Sequence, residues 1–233
     1  MGYNTFFSQI LNIEELSKSI DNELLFSKID LNLSKGDKVL LYSRDSRATT
    51  SFYQIIAGNL TSDSGSFKWG VTTNHSYLPL DNSQFFVKNI SLVDWLRNWT
   101  KTEEEREEVY LRGFLGKMIF SGEEALKKCT VLSGGEKVRC MISKMMMKKG
   151  NVLILDEPTN HLDLESITAF NNSLKKFKGT VLLSTHDHQF AQTIANRIVE
   201  LTPKGVIDRY MAFDEYMNNE KIKELRNSMY SLS

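Results

Sequence analysis

Apolar and polar residues alternate through Ile29, Leu31 and Leu33, a period of two that predicts a half-buried strand. Ser34-Lys35-Gly36-Asp37 predicts the turn that ends it, and the unbroken apolar run Val39-Leu40-Leu41-Tyr42 predicts a strand covered on both faces. The period then lengthens. Phe52, Ile55 and Ile56 fall on one face of a helix that should stop near Gly58. Ser62-Asp63-Ser64-Gly65 reads as a turn ahead of a short strand through Phe67 and Trp69. Across residues 91–150 the pattern is helical: Trp95 and Trp99 lie one turn apart, and the acidic run at 103–108 opens another helix as a solvated N-terminal face. Residues 152–155 and 181–184 return to strand, separated by a helix carrying Leu164, Ile167, Phe170, Leu174 and Phe177 at helical spacing. Strands alternating with helices predict an α/β fold with a mainly parallel core sheet, an antiparallel β part and an inserted helical subdomain.

Composition narrows the class. A chain of 233 residues with 41% hydrophobic content can bury one large core, so a single domain is expected over 1–233. Residues 1–90 and 151–233 would form its α/β core and residues 91–150 the helical subdomain. The 29 basic and 29 acidic residues cancel, which excludes a global attraction to nucleic acid or an anionic membrane and leaves only local patches for such contacts. No apolar run reaches membrane-spanning length and no signal-peptide pattern opens the chain, so a cytoplasmic location is expected. Cys129 and Cys140 have neither metal-ligand nor redox spacing and read as free thiols.

Two segments carry candidate chemistry. Ser133 precedes Glu136 by three residues, ahead of an apolar helical stripe through Val138, Met141, Ile142, Met145 and Met146: a capping box. With Gly134 and Gly135 baring its first N–H groups, such a helix end suits an anion. Farther on, four apolar residues end in Asp156 and Glu157, two carboxylates at the carboxyl end of a buried strand, the edge where α/β sheets place ligands.

Together, Val131-Leu132-Ser133-Gly134-Gly135-Glu136-Lys137-Val138-Arg139, Leu155-Asp156-Glu157-Pro158-Thr159-Asn160-His161-Leu162-Asp163 and Ser184-Thr185-His186-Asp187 resemble the signature, the Walker B strand with its D-loop, and the switch region of an ATP-binding cassette (ABC) ATPase. Asn160-His161-Leu162-Asp163 and the glutamate after the signature glycines are similar to the ABC-F subfamily, whose members are mostly ribosome-associated, and the chain most resembles the C-terminal cassette of a bacterial twin-cassette protein. The resemblance implies the ABC-type P-loop NTPase fold, ATP and Mg²⁺ as cofactors, and a second cassette bound head-to-tail. It implies that Ser133, Gly134, Gly135 and Glu136 act in trans on the γ-phosphate held by that partner, with Asp163 in the D-loop. It further implies that Asp156 holds Mg²⁺ through water, that Glu157 polarises the attacking water, and that His186 contacts the γ-phosphate.

One motif departs from the family. The phosphate loop G-x-x-x-x-G-K-[ST] falls on Ser43-Arg44-Asp45-Ser46-Arg47-Ala48-Thr49-Thr50, followed by Ser51. Ser43, Ser46 and Ala48 occupy glycine positions, where backbone conformations of positive φ become costly. Thr49 replaces the lysine, leaving Thr50 as a remnant Mg²⁺-binding hydroxyl. Ile20 stands where an aromatic residue stacks on adenine, and Leu80 where a glutamine meets Mg²⁺. The expectation is a cassette whose own ATP half-site is degenerate, binding ATP and Mg²⁺ weakly or not at all, while its signature completes a partner's site. Two alternatives stand beside it: an active ATPase with an altered loop, with Arg44 and Arg47 standing in for the lost lysine, and a non-catalytic ribosome or protein interaction module.

Overall fold

The computed structural model describes residues 9–231; the outermost parts of the single-domain expectation, 1–8 and 232–233, lie outside them. In chain order the elements are β1 (Gln9–Ile20), β2 (Glu23–Ser34), β3 (Lys38–Tyr42), α1 (Ser46–Ile56), β4 (Ser64–Trp69), β5 (His75–Leu78), α2 (Leu92–Arg97), α3 (Glu103–Arg106), α4 (Glu108–Lys117) and α5 (Gly134–Met147). They continue with β6 (Val152–Asp156), α6 (Leu164–Lys176), β7 (Thr180–Ser184), α7 (His188–Ile194), β8 (Arg197–Thr202), β9 (Gly205–Arg209), α8 (Phe213–Asn218) and α9 (Glu220–Tyr230).

Two sheets result. β2, β1 and β4 form an antiparallel sheet in the order β2-β1-β4, and the second sheet runs β5-β6-β7-β3-β8-β9, parallel except for β9. Its central strands β3, β6 and β7 are mostly apolar because both faces are covered, and their alternation divides the core. Val39, Leu41, Val152, Ile154, Leu182 and Val199 face α1 and the antiparallel sheet. Leu40, Leu155, Val181, Leu183 and Ile198 face the helices that carry Phe170, Phe190 and the helical subdomain. Helix α1 ends where expected, the chain turning at Gly58 with φ +81°.

Three local expectations are corrected. The turn at 62–65 is shorter, since β4 already begins at Ser64; Asp63 pins it by accepting from Lys18 Nζ at 2.7 Å and from the Ser19 N–H at 2.6 Å. The acidic run does not form one helix: α3 ends at Arg106 and Glu107 is extended, which avoids stacking Glu103 on Glu107 and Glu104 on Glu108 along a helix face. Leu164 is 80% exposed rather than in the stripe, whose apolar contacts with the core begin at Ile167, and Phe177 packs from just beyond the helix end.

Candidate functional site

Parallel pairing of β3, β7 and β6 brings their carboxyl ends to one edge, which delivers Ser43, Thr185-His186 and Asp156-Glu157 as neighbours. The loop after β3 is short. Helix α1 begins at Ser46, so only Ser43, Arg44 and Asp45 remain as loop, while Ser46, Ala48, Thr49, Thr50 and Ser51 are helical. Asp45 is the N-cap: its Oδ1 accepts from the Arg47 N–H at 2.9 Å, and the Arg47 guanidinium folds back onto both carboxylate oxygens. That guanidinium, hydrogen-bonded to it, holds the Asp45 carboxyl below the usual range. Two neighbouring amides are engaged as well, while the Ser46 N–H forms no hydrogen bond among the described residues. Arg44 N–H donates to the Tyr230 hydroxyl at 3.0 Å and Asp45 N–H to Ser43 Oγ at 3.3 Å. The Thr49 hydroxyl turns back to Ser46 O at 2.9 Å, and its side chain is buried. Neither arginine is free: Arg47 also pairs with Glu23, and Arg44 stacks 4.2 Å over Tyr230 while donating to Asn227.

Opposite the loop, Asp156 is buried at the end of β6. Its Oδ1 accepts from Ser184 Oγ at 3.0 Å, whereas Oδ2 has no partner among the described residues. Burial raises its pKa, against the lowering pull of the Thr50 and Ser184 hydroxyls. Glu157 takes φ +48°, an uncommon conformation for a non-glycine residue, held by its N–H bonding both the carbonyl and the hydroxyl of Ser184 at 3.2 Å. That turn sends its carboxylate to His186, accepting from the backbone N–H at 3.2 Å with Nε2 at 3.5 Å. Desolvation raises the Glu157 pKa, with the His186 charge working the other way. Ile20 ends β1 against the core and Leu80 is exposed on a cleft wall shared with Thr50.

The signature segment stands apart from this cluster. Ser133 Oγ accepts from the Glu136 N–H at 3.3 Å and Glu136 Oε2 from the Ser133 N–H at 2.9 Å, the reciprocal capping box. Lys127 donates to the other Glu136 oxygen at 2.7 Å; burial pushes the carboxyl up, but Lys127 and Ser133 bring it below its ordinary value. The Gly134 and Gly135 N–H groups form no hydrogen bond among the described residues. A Cβ on Gly135 would fall 2.3 Å from the His161 carbonyl oxygen, whereas one on Gly134 would make ordinary contact with the His161 ring at 3.4 Å. The second glycine is thus explained by packing on the chain's own D-loop, which ligand access alone does not require. Asp163 caps α6 through the Ser166 N–H at 2.8 Å. Ser133, Gly135, Glu136 and Asp163 line one hollow of about 120 Å³, to which neither the loop after β3 nor Asp156, Glu157 and His186 contributes.

Some contributors escape sequence reasoning. Tyr230 and Asn227 reach the loop from α9, nearly two hundred residues away, and no local pattern signals that contact. Asp45 did carry a signal: an aspartate directly before a helical pattern is an N-cap.

A parallel sheet flanked by an antiparallel one, with a capped signature helix and paired carboxylates at the strand ends, defines an ATP-binding cassette. The ABC transporter family model matches residues 26–160, more than half of the chain, so the chain belongs to that family. It is 50% identical over 225 residues to the ABC transporter ATP-binding protein YkpA of Bacillus subtilis, covering 96% of this chain and 41% of that protein. To the probable ATP-binding protein YbiT of Escherichia coli O157:H7 it is 35% identical, over 93% of this chain and 41% of that one. The energy-dependent translational throttle protein EttA of Escherichia coli K12 is 28% identical over 91% of this chain and 39% of EttA. The chain therefore spans about two fifths of the length of these relatives. Among solved structures, an ATP-binding subunit of an ABC transporter superposes with TM-score 0.77 at 18% identity, covering 94% of this chain and 99% of that one. A dimeric bacterial ABC transporter cassette gives 0.71 at 16% identity, covering 87% and 99%. These two likenesses establish the fold.

Proposed function

We propose that this chain is an ABC-F-like cassette, the second of a pair in a cytoplasmic, ribosome-associated protein. Its own ATP half-site is degenerate, and its signature helix completes the ATP site of a partner cassette bound head-to-tail. The observation that carries the reading is the start of α1. There the chain's own Asp45 carboxylate, paired to Arg47, takes the helix N-terminus that a nucleotide phosphate would need, and the amides of Arg44 and Asp45 are already bonded. Phosphates do not fit that loop, and the guanidinium rescue requires two arginines that are engaged elsewhere. Asp156 Oδ2 and the Thr50 hydroxyl are a remnant that could meet a cation, but without phosphates to share it the cation has too few ligands. No catalytic step is therefore assigned to Glu157 and His186 on their own side.

The Ser133–Glu136 cap supports the trans role, because it leaves the Gly134 and Gly135 N–H groups to an outside anion. Translation is suggested by EttA, whose name states that role for EttA, and by the Asn160-His161-Leu162-Asp163 D-loop. Among the described residues no helix is long and apolar enough to cross a membrane. Calorimetry of Mg-ATP with the purified chain tests the degenerate half-site: weak or unmeasurable binding is expected, and low-micromolar affinity would return the reading to an active ATPase with an altered loop.

A further inference from the structure

Between the two subdomains lies a cleft of about 830 Å³, walled by Gln54 and Asn59 at the end of α1, by Tyr77 on β5, by Gln84 and Phe85, and by Lys144 and Lys148 on α5. Lys144 is only 7% exposed, yet no carboxylate answers it. Its Nζ rests 3.5 Å over the Trp99 ring and 4.6 Å over Phe85, and Lys148 Nζ lies 5.0 Å over the same Trp99. Neither ammonium forms a salt bridge among the described residues; the charge that Lys144 chiefly feels is Lys148, one turn away, a repulsive spacing on a helix. Aromatic faces replace part of the lost hydration, but they use none of the three N–H donors on each ammonium.

The rest of the wall carries one ionised carboxylate but forms no ion pair with either lysine. Asp81, its one carboxylate, accepts from the Ser83 N–H at 2.9 Å and is held low chiefly by that bond. His75 is pushed down by burial and stacked on Trp69, and the Tyr77 phenol is buried, pushed up and without a partner among the described residues. Two unanswered positive charges converging on one ring call for a doubly charged oxyanion, and the amides of Gln54, Asn59 and Gln84 supply neutral donors around it.

We propose that this cleft binds a phosphate-bearing ligand, with Lys144 as its principal contact and Lys148 as the second. Lysine suits phosphate as a point charge, and the site is independent of the degenerate loop, sharing only Thr50 with it.

The test is NMR on the full chain carrying ¹³C-lysine, titrated separately with inorganic phosphate and with a ribonucleoside 5′-monophosphate. The Lys144 Cε signal, displaced by the Trp99 ring current and assigned with Lys144→Met, should shift saturably. Its midpoint should climb from about 8, where burial holds it. Lys148→Gln, at an exposed position, should weaken binding about tenfold, the loss of one charge-assisted contact. Tighter binding of the nucleotide would assign its organic part to the Phe85 and Tyr77 wall, and equal binding would make the phosphate group alone the ligand. No saturable shift with either titrant would overturn the proposal, as would a shift that persists in Lys148→Gln and appears equally at Lys137. ATP could also register in this cleft, so repeating the calorimetry on Lys144→Met keeps this inference distinct from the reading of the loop.

Discussion

Two helix N-termini in this molecule have the same intrinsic attraction for an anion and have opposite fates. At α1 the chain answers the attraction itself: Asp45 caps, Arg47 neutralises it, and Tyr230 and Ser43 take the amides of Arg44 and Asp45. At α5 the capping glutamate is drawn aside to Lys127 and the Ser133 N–H, and two glycine N–H groups stay open. The helix dipole is common to both, so availability is decided by which side chain stands at N-cap and what pairs with it. On the proposed reading, an anion site is silenced by filling it, with no need to remove the helix.

The largest effect that can break this contrast is on a partner's turnover. In complex with an intact cassette, Ser133→Arg should lower stimulated ATPase by about a hundredfold or more, the scale of losing an oriented donor set. Thr49→Ala should change it less than about twofold, because that side chain only bonds Ser46 O. Steady-state assays showing equal sensitivity at the two positions would mean that the α1 terminus is a working site.

Next in size is the pair of signature glycines. Gly135→Ala forces a Cβ against a backbone carbonyl at 2.3 Å, which can be relieved only by moving the D-loop. It should cost about 1–3 kcal/mol in denaturant unfolding. Gly134→Ala, with its nearest neighbour at 3.4 Å, should be tolerated and could gain from helix propensity. Equal losses would show that both glycines serve the same backbone need.

The architecture was legible because its signals are local. A period-two run marked β2 and an unbroken apolar run marked β3, the Ser133/Glu136 spacing marked the α5 cap, and the charged end of β6 marked the ligand edge. What escaped depends on pairs distant in sequence. Arg44 and Arg47 looked like free cations until Asn227, Tyr230 and Glu23 were found beside them. Gly135 looked like a ligand-access glycine until His161 was found against it. Lys144 drew no reading from the sequence, and only the fold brings Trp99 and Phe85 under it. The break at Glu107 was within reach, since like charges at i,i+4 stand in the run itself.

A smaller effect separates the carboxylates on the loop's side from those at the caps. Glu157 has its pKa raised by burial, so the folded state prefers it protonated and its ionisation costs stability. Below its ordinary value of 4.5 the group is protonated folded and unfolded alike, and the cost grows as pH climbs through the raised folded value. Glu157→Gln should therefore raise Tm at pH 8, with the gain shrinking to nothing near pH 4, each unit of upward shift being worth about 1.4 kcal/mol. Turnover of the complex should stay within about twofold. A loss as large as the partner's equivalent substitution gives would restore Glu157 to catalysis.

The smallest effect bears most directly on the proposed silencing of α1. Asp45→Ala removes an N-cap hydrogen bond and should cost about 1 kcal/mol, as should Ser133→Ala at the other terminus. The two losses should part company with pH. Because the Asp45 pKa is lowered in the folded state by Arg47, its contribution is present above the ordinary value of 3.8 and fades as pH falls through the folded value. The gap between wild type and Asp45→Ala should accordingly close in acid, whereas the Ser133 hydroxyl does not titrate. Salt should reduce the Asp45 contribution through the exposed Arg47 pair and leave the neutral Ser133 hydrogen bond unchanged. Chemical denaturation at pH 7 and pH 3, each at low and high salt, reads both contrasts. An Asp45→Ala loss indifferent to pH and salt would show that the α1 terminus is stabilised by the helix alone, with no anion supplied by the chain in place of a phosphate.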